Sequence, residues 1–155
     1  MPPKLILRAV IRLSIAGLAL TGLGATSCSF SSDGGNDDLP RTTVVFHFRM
    51  HGDATGDMDF RAATQDPQVI ATVRAQLAKT AAERRLFISG PIERGHGTHN
   101  RPWRWHFVPD AWRLTSVEIE LCDGNAVLVD QAVDYWVDTV GTFCPWGSYV
   151  AAEIT

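Results

Sequence analysis

Cysteine is scarce in this sequence, and the motifs that mark the commonest metal and redox sites are missing. Its three cysteines, Cys28, Cys122 and Cys144, form no Cys-x-x-Cys pair, which argues against a zinc ribbon or a dithiol redox centre. No His-Glu-x-x-His or Gly-x-Ser-x-Gly motif occurs, so neither a zinc protease nor a nucleophile elbow is indicated. We therefore predict no catalytic residue, no metal ligand and no cofactor.

Basic residues are too few for a nucleic-acid-binding surface. The chain has 14 lysines and arginines against 17 aspartates and glutamates. Removal of residues 1–27 would leave 11 of the basic residues and all 17 acidic ones. Nucleic-acid binding depends on a basic surface that neutralises phosphates. The acidic balance therefore argues against nucleic acid as a partner.

A long apolar run is also missing, although a short one stands near the N-terminus. Lys4, Arg8 and Arg12 come before the apolar residues 13–24, and no acidic residue occurs before Asp33. The run is shorter than the roughly 20 residues of a membrane-spanning helix. A basic start, a short apolar run and small residues just after it are typical of a secretory signal. We assign this signal to residues 1–27.

The next residue, Cys28, completes the stretch "ATSC", which resembles the lipidation motif of bacterial lipoprotein signals. Ala25 departs from that motif, where leucine is commoner, so cleavage by an ordinary signal peptidase is the alternative. Serine, glycine and aspartate then dominate, and we predict a flexible tether at residues 28–42 and a folded domain at residues 43–155. The expected location is the bacterial outer membrane, periplasm or cell surface as a lipoprotein, with secretion as the alternative. Membrane contact is expected only through the lipid.

The two other cysteines, Cys122 and Cys144, are an even pair in a chain that is predicted to be exported. Disulfides form and persist in exported proteins, so a bond between them is expected. It would stabilise the fold by roughly 3 kcal/mol through loop closure. Two separately buried thiols are the alternative.

Alternation and helical spacing predict the fold. In "TVVFHFRM" every second residue is apolar, which is typical of a half-buried strand. Asp66 is a good N-cap and Pro67 a good first residue for a helix at residues 67–79. A second helix is predicted from Asp130 to its end at Gly141. The remaining strands are predicted in "MDFRAAT", "RLFISGPI", "PWRWHFVP", "SVEIELCDG" and "SYVAAEI".

These elements predict one compact α+β domain, with a mostly antiparallel sheet of five or six strands and two helices. In the strand at residues 116–124, we expect Val117, Ile119 and Leu121 to point inward. Glu118 and Glu120 alternate with them and should face solvent.

The strand at residues 102–109 has an aromatic side and a polar side. We expect the aromatic side, formed by Trp103, Trp105 and Phe107, to lie in the core, because large aromatic side chains mainly contribute burial. The loop before this strand, "ERGHGTHNR", is polar, and loops carry function more often than strands do. The predicted ligand-binding residues come from this loop and from the polar side of the strand: His96, His99, Asn100, Arg104 and His106.

Aspartates recur in two places. The turn "DATGDMD" is rich in carboxylates but lacks the twelve-residue calcium loop that ends in glutamate, so a solvated turn is favoured. A second set recurs every four residues on one face of the second helix. Such a face is normally solvated, with an acidic partner-binding surface as the alternative. This set is Asp130, Asp134 and Asp138.

Several stretches resemble one family, the N-terminal domain of a slime-mould calmodulin-binding protein, which small bacterial secreted proteins share. The resemblance covers residues 43–154 and implies a compact module without known catalytic residues. Calmodulin itself is not an expected partner, because its targets are basic amphipathic helices and the second helix here is acidic. The stretches are "FRAATQDPQVIATVRAQL", "RLFISGPIERG", "HNRPWRWHFVPDAW", "VEIELCDG" and "YWVDTVGTFCPWGSYV".

Together these observations predict an exported, lipid-anchored binding module for a protein or carbohydrate ligand. The alternative is a small exported hydrolase or a protease inhibitor. An enzyme should have a concave pocket in which one of the loop histidines meets a carboxylate. A binding module should instead have a flatter face with a tryptophan that solvent can reach.

Overall fold

The computed structural model describes residues 42–154, so the predicted signal sequence, Cys28 and nearly all of the predicted tether lie outside the described residues. Within this range the strands are β1 (Val44–Met50), β2 (Phe60–Thr64), β3 (Phe87–Ser89), β4 (Ile92–Arg94), β5 (Trp105–Phe107), β6 (Arg113–Thr115) and β7 (Ser148–Ile154). The helices are α1 (Pro67–Leu77), α2 (Ala126–Gln131) and α3 (Val133–Tyr135), and α3 continues into a π-helical turn at Trp136–Val140.

The strands form three small antiparallel sheets, so the α+β class is confirmed although the sheet is divided. The largest has the order β2-β1-β7, and the other two pair β3 with β6 and β4 with β5. Gly90-Pro91 ends β3, as predicted, and a further short strand, β4, which the sequence did not predict, begins at Ile92. A side chain at Gly90 would place its Cβ 2.6 Å from the Cβ of Trp112, so only glycine allows this close crossing.

The predicted alternation in β1 is confirmed. Phe46 and Phe48 are fully buried, and Phe48 stacks on Phe60 of β2 at 5.4 Å between ring centroids. Trp112 meets both β1 rings edge-on. These four rings pack together on the inner face of the largest sheet. Edge-on and stacked ring pairs add stability beyond that from burying apolar surface.

Helix α1 begins as predicted. The Asp66 side chain accepts hydrogen bonds from the backbone N–H groups of Gln68 and Val69, at 2.8 and 3.4 Å, and Pro67 occupies the first turn. The helix ends at Leu77, two residues earlier than predicted.

Arg84 joins the end of α1 to strand β7. Its guanidinium donates hydrogen bonds to four backbone carbonyls, those of Leu77, Lys79, Val150 and Ala151. Leu77 is the last residue of the helix, Lys79 lies two residues beyond it, and the other two residues belong to β7. A carbonyl at a helix C-terminus has no partner within the helix, and Arg84 supplies one to Leu77.

The second helical region differs from the prediction at its start. It begins at Ala126, capped by Asn125, whose side-chain oxygen accepts a hydrogen bond from the Leu128 N–H at 3.0 Å. The backbone of Ala132, at φ −139° and ψ 47°, breaks the helix before α3. Gly141, at φ 72°, ends the region as predicted, because the left-handed conformation there favours glycine.

Candidate functional site

The free edge of β2 is covered by side chains from the "HNRPWRWHFVPDAW" stretch. The indole N–H of Trp103 donates to the Asp59 carbonyl at 2.8 Å, and that of Trp112 donates to the Ala63 carbonyl at 2.8 Å. Between them, the Arg61 N–H donates to the side-chain oxygen of Asn100 at 2.7 Å. In an edge strand, the backbone N–H and C=O groups of every second residue point away from the sheet and need a partner. Here the side chains of Trp103, Asn100 and Trp112 provide hydrogen bonds to residues 59, 61 and 63.

Asn100 has a structural role. It is fully buried, and its amide nitrogen donates to the Trp105 carbonyl at 2.9 Å while its oxygen binds the Arg61 N–H. Both ends of the amide are therefore used to join β2 to β5. In this structure Asn100 has no exposed surface and both ends of its amide are already hydrogen-bonded. A ligand-binding role for Asn100 stays a prediction.

The three histidines of this region lie in different environments. His96 is exposed, whereas His106, from the polar side of the predicted strand, is buried, with Nδ1 2.8 Å from the Gly95 carbonyl oxygen. Gly97, at φ 53°, covers the His106 ring so closely that a Cβ at this position would lie 2.5 Å from it. His99 meets the His106 ring edge-on at 5.8 Å between centroids.

Burial lowers the pKa of His99 below its usual value, and the nearby His106, Arg61 and His96 lower it further. A hydrogen bond to the backbone of Gly97 acts in the opposite direction but does not cancel the effect. The ring is therefore neutral near pH 7. Its Nε2 atom is shielded from solvent and has no hydrogen-bond partner among residues 42–154.

Arg104 and the acidic helix face bind each other. The Arg104 backbone N–H donates to the Asp130 carboxylate at 2.7 Å, and its guanidinium lies 3.3 Å from the same carboxylate. Arg94 of β4 pairs with Asp134 at 2.8 Å and with Asp138 at 2.6 Å. All three aspartates of this face thus have an arginine partner within the domain, which makes the face a poor acidic docking surface.

The predicted strand at residues 116–124 is wrong, and so is the predicted inward orientation of its apolar side chains. Glu120 is exposed, as predicted. Residues 117–119 pair with no described strand, and a 3-10 turn follows at Glu120–Cys122. Val117, Ile119 and Leu121 point outward, with 78%, 66% and 62% of their surface exposed. We refer to these three side chains as the apolar ridge.

Glu118, expected to face solvent, points inward. Its carboxylate accepts a hydrogen bond from the Ser89 hydroxyl at 2.9 Å and pairs with the guanidinium of Arg113. Ser89 is buried, so Glu118 satisfies a polar group within β3. Alternation in a sequence shows that two faces differ, but it does not show which face the rest of the chain covers.

The apolar ridge is anchored by a disulfide at its Leu121 end. The predicted disulfide between Cys122 and Cys144 is confirmed, with 5.1 Å between the α-carbons. Trp146, 43% exposed, and Val117 line a shallow depression of about 200 Å³ on one side, and Val140 lines a second one beside Ile119.

Sequence reasoning missed a second cluster, on the outer face of β1. The Nε2 atom of His47 lies 2.9 Å from the Asp59 carboxylate, and Arg49 lies 3.4 Å from it. A histidine–carboxylate pair orients a catalytic base when a hydroxyl or thiol binds the ring. Among residues 42–154, no hydroxyl or thiol hydrogen-bonds to His47, so the cluster does not form a catalytic triad.

The aspartate-rich turn holds its own backbone. The Asp53 carboxylate accepts hydrogen bonds from the Thr55 side chain and from the backbone N–H groups of Thr55, Gly56 and Met58. The Thr55 hydroxyl and the Met58 N–H are the main reasons that the pKa of Asp53 falls to about 2. Its carboxylate oxygens are therefore already used in hydrogen bonds within the turn.

Metal-binding clusters and membrane spans are both absent from the part of the chain that the structure describes. Residues 42–154 contain no group of three or more histidine, cysteine or acidic side chains placed to hold a metal ion. No helix in that range is both long and apolar enough to span a membrane.

The described residues form a disulfide-bonded α+β domain. Two tryptophans donate hydrogen bonds along the free edge of β2, and an apolar ridge is exposed on the surface. The family model of the BP-74 N-terminal domain matches residues 42–155. The chain belongs to this family, which confirms the resemblance seen in the sequence. No curated protein and no solved structure matches the chain.

Proposed function

We propose that the domain is a binding module that recognises a protein through the apolar ridge. We further propose that it is exported and held at a bacterial membrane by a lipid on Cys28. The observation that carries the first proposal is the outward orientation of Val117, Ile119 and Leu121 beside the exposed Trp146. Contiguous exposed aliphatic side chains on a folded domain are typical of an interaction surface.

The energetics favour a partner that covers this ridge. Burying one aliphatic side chain of this size contributes about 1.5–3 kcal/mol, so three of them in one row are a substantial part of a binding energy. The disulfide at Cys122 and the buried bonds of Glu118 hold the segment in place. A pre-ordered surface loses little entropy when a partner binds.

The neighbouring charges favour a protein over other ligands. Glu120 and Asp123 are exposed beside the ridge and would repel an anionic lipid surface. A sugar site needs several convergent polar groups, whereas the ridge is aliphatic with one exposed tryptophan, Trp146. An exported hydrolase or a protease inhibitor is the alternative, and a hydrolase would need a nucleophile near His47 or His99.

The ridge can be tested with a displayed library of random peptides and with a glycan array. Peptides selected on the wild-type domain should bind I119D at least tenfold more weakly, because a carboxylate would be buried in the contact. The matched control is A71D, which adds the same charge to an exposed position in the first half of α1. Equal binding of the peptides to I119D, or binding only to glycans, would contradict the proposal.

The lipid anchor has its own test. Protein recovered from the membrane fraction should begin at Cys28 and carry the added mass of acyl chains, because "ATSC" follows a signal-like apolar run. Mass spectrometry of the N-terminal peptide measures this. An unmodified N-terminus, before or after Cys28, would show that an ordinary signal peptidase cleaves the chain or that it is not exported.

A further inference from the structure

A second surface feature, with no role in the proposed protein contact, is a groove of about 610 Å³ in the largest sheet. It lies where β1 begins and β7 ends. Its walls include Val45, Ile154, Arg61 and His99, together with the α1 residue Arg74. This volume is in the range of small-molecule sites, about 300–1,000 Å³.

The charges that line the groove do not cancel. Arg74 and Glu153 form a two-bond ion pair, with Nε and Nη2 at 2.9 and 2.7 Å from the carboxylate oxygens. That pair accounts for one positive and one negative charge. The Arg61 guanidinium has no hydrogen bond or ion pair with any residue from 42 to 154, and only its backbone N–H is used, by Asn100. One positive charge is therefore left over.

The rest of the groove is apolar or neutral. Val45 and Ile154 are directly paired across β1 and β7, and their side chains lie on one face of the sheet. His99 is neutral near pH 7 because burial lowers its pKa. Its Nε2 atom is shielded from solvent and has no hydrogen-bond partner among residues 42–154.

We infer that this groove binds a small carboxylic acid with an apolar body, with Arg61 binding the carboxylate. The planar guanidinium matches a carboxylate with two parallel hydrogen bonds, and the aliphatic side chains of Val45 and Ile154 contact the apolar part. The site is separate from the apolar ridge and does not depend on the proposed protein contact.

Hexanoate is a suitable probe, with hexanol as the matched neutral compound. In a titration followed by amide chemical shifts, hexanoate should give saturable shifts at Val45, His99 and Ile154, in the millimolar range. Hexanol should bind at least tenfold more weakly, because it lacks the charge that Arg61 binds.

Variants separate a specific site from general adhesion. R61A should bind hexanoate at least tenfold more weakly, and R61K should recover part of the affinity. The control R85A removes an exposed arginine outside the groove and should bind as the wild type does. The ridge variant I119D should also bind hexanoate normally. Absence of saturable shifts, equal binding of hexanol, or unchanged affinity in R61A would each overturn the inference.

Discussion

Replacing Trp105 with alanine should lower the free energy of unfolding by about 3–5 kcal/mol, the usual cost of removing a large buried aromatic side chain. Trp105 is fully buried, and its ring lies within 5.8 Å of Phe60 and Phe107 and 5.2 Å of Phe143. Its indole N–H also donates to the Ala126 carbonyl at 3.3 Å. The variant therefore loses contacts with β2, β5 and the start of α2 together.

Urea unfolding measures this loss, and W146A is the matched control. Trp146 is 43% exposed and meets the ring of Phe87 at 6.4 Å, so its removal should cost less than about 1 kcal/mol. If W146A were the more damaging variant, the assignment of Trp105 to the core and of Trp146 to the surface would be reversed.

Removing the disulfide should cost about 3 kcal/mol. Cys122 and Cys144 are 22 residues apart in the sequence, and closing a loop of this length restricts the unfolded chain by about that amount. The closed loop contains α2, α3 and the π-helical turn, so this whole helical region is expected to become less stable. The backbone bond from the Cys144 N–H to the Cys122 carbonyl, at 2.8 Å, cannot replace the covalent link.

The measurement compares thermal unfolding of the wild type and of C122A/C144A, each with and without a reductant. Reductant should bring the wild type down to the stability of the double variant and should leave the double variant unchanged. A wild type that unfolds at the same temperature in both conditions would show that the bond contributes nothing to stability.

The parts of the fold that local chemistry determines could be predicted from the sequence. Asp66 followed by Pro67 gives the start of α1, because capping needs only adjacent residues. Gly141 gives the end of the second helical region for the same reason. The disulfide follows from the presence of two cysteines in the folded domain of a chain predicted to be exported.

The parts that depend on what covers a segment could not be predicted. The alternation around Glu118 is real, but the Ser89 hydroxyl and Arg113 bind its carboxylate, so Glu118 points inward while Glu120 stays exposed. The polar loop around Asn100 predicts a ligand contact for this residue. Its actual partners, the Arg61 N–H and the Trp105 carbonyl, lie 39 residues before it and five residues after it. A pattern in one segment gives no information about such distant partners.

The most direct test of the proposed recognition surface is the free energy of unfolding of V117S/I119S/L121S, measured together with binding of the selected peptides. If the apolar ridge is an exposed contact surface, each substitution should change stability by no more than about 0.5 kcal/mol, the range of ordinary surface changes, and peptide binding should be lost. If the three side chains were instead in the core, as the alternation suggests, the variant would lose about 2–5 kcal/mol at each position and would not fold. That result, or a folded variant that binds the peptides as tightly as the wild type, would contradict the account.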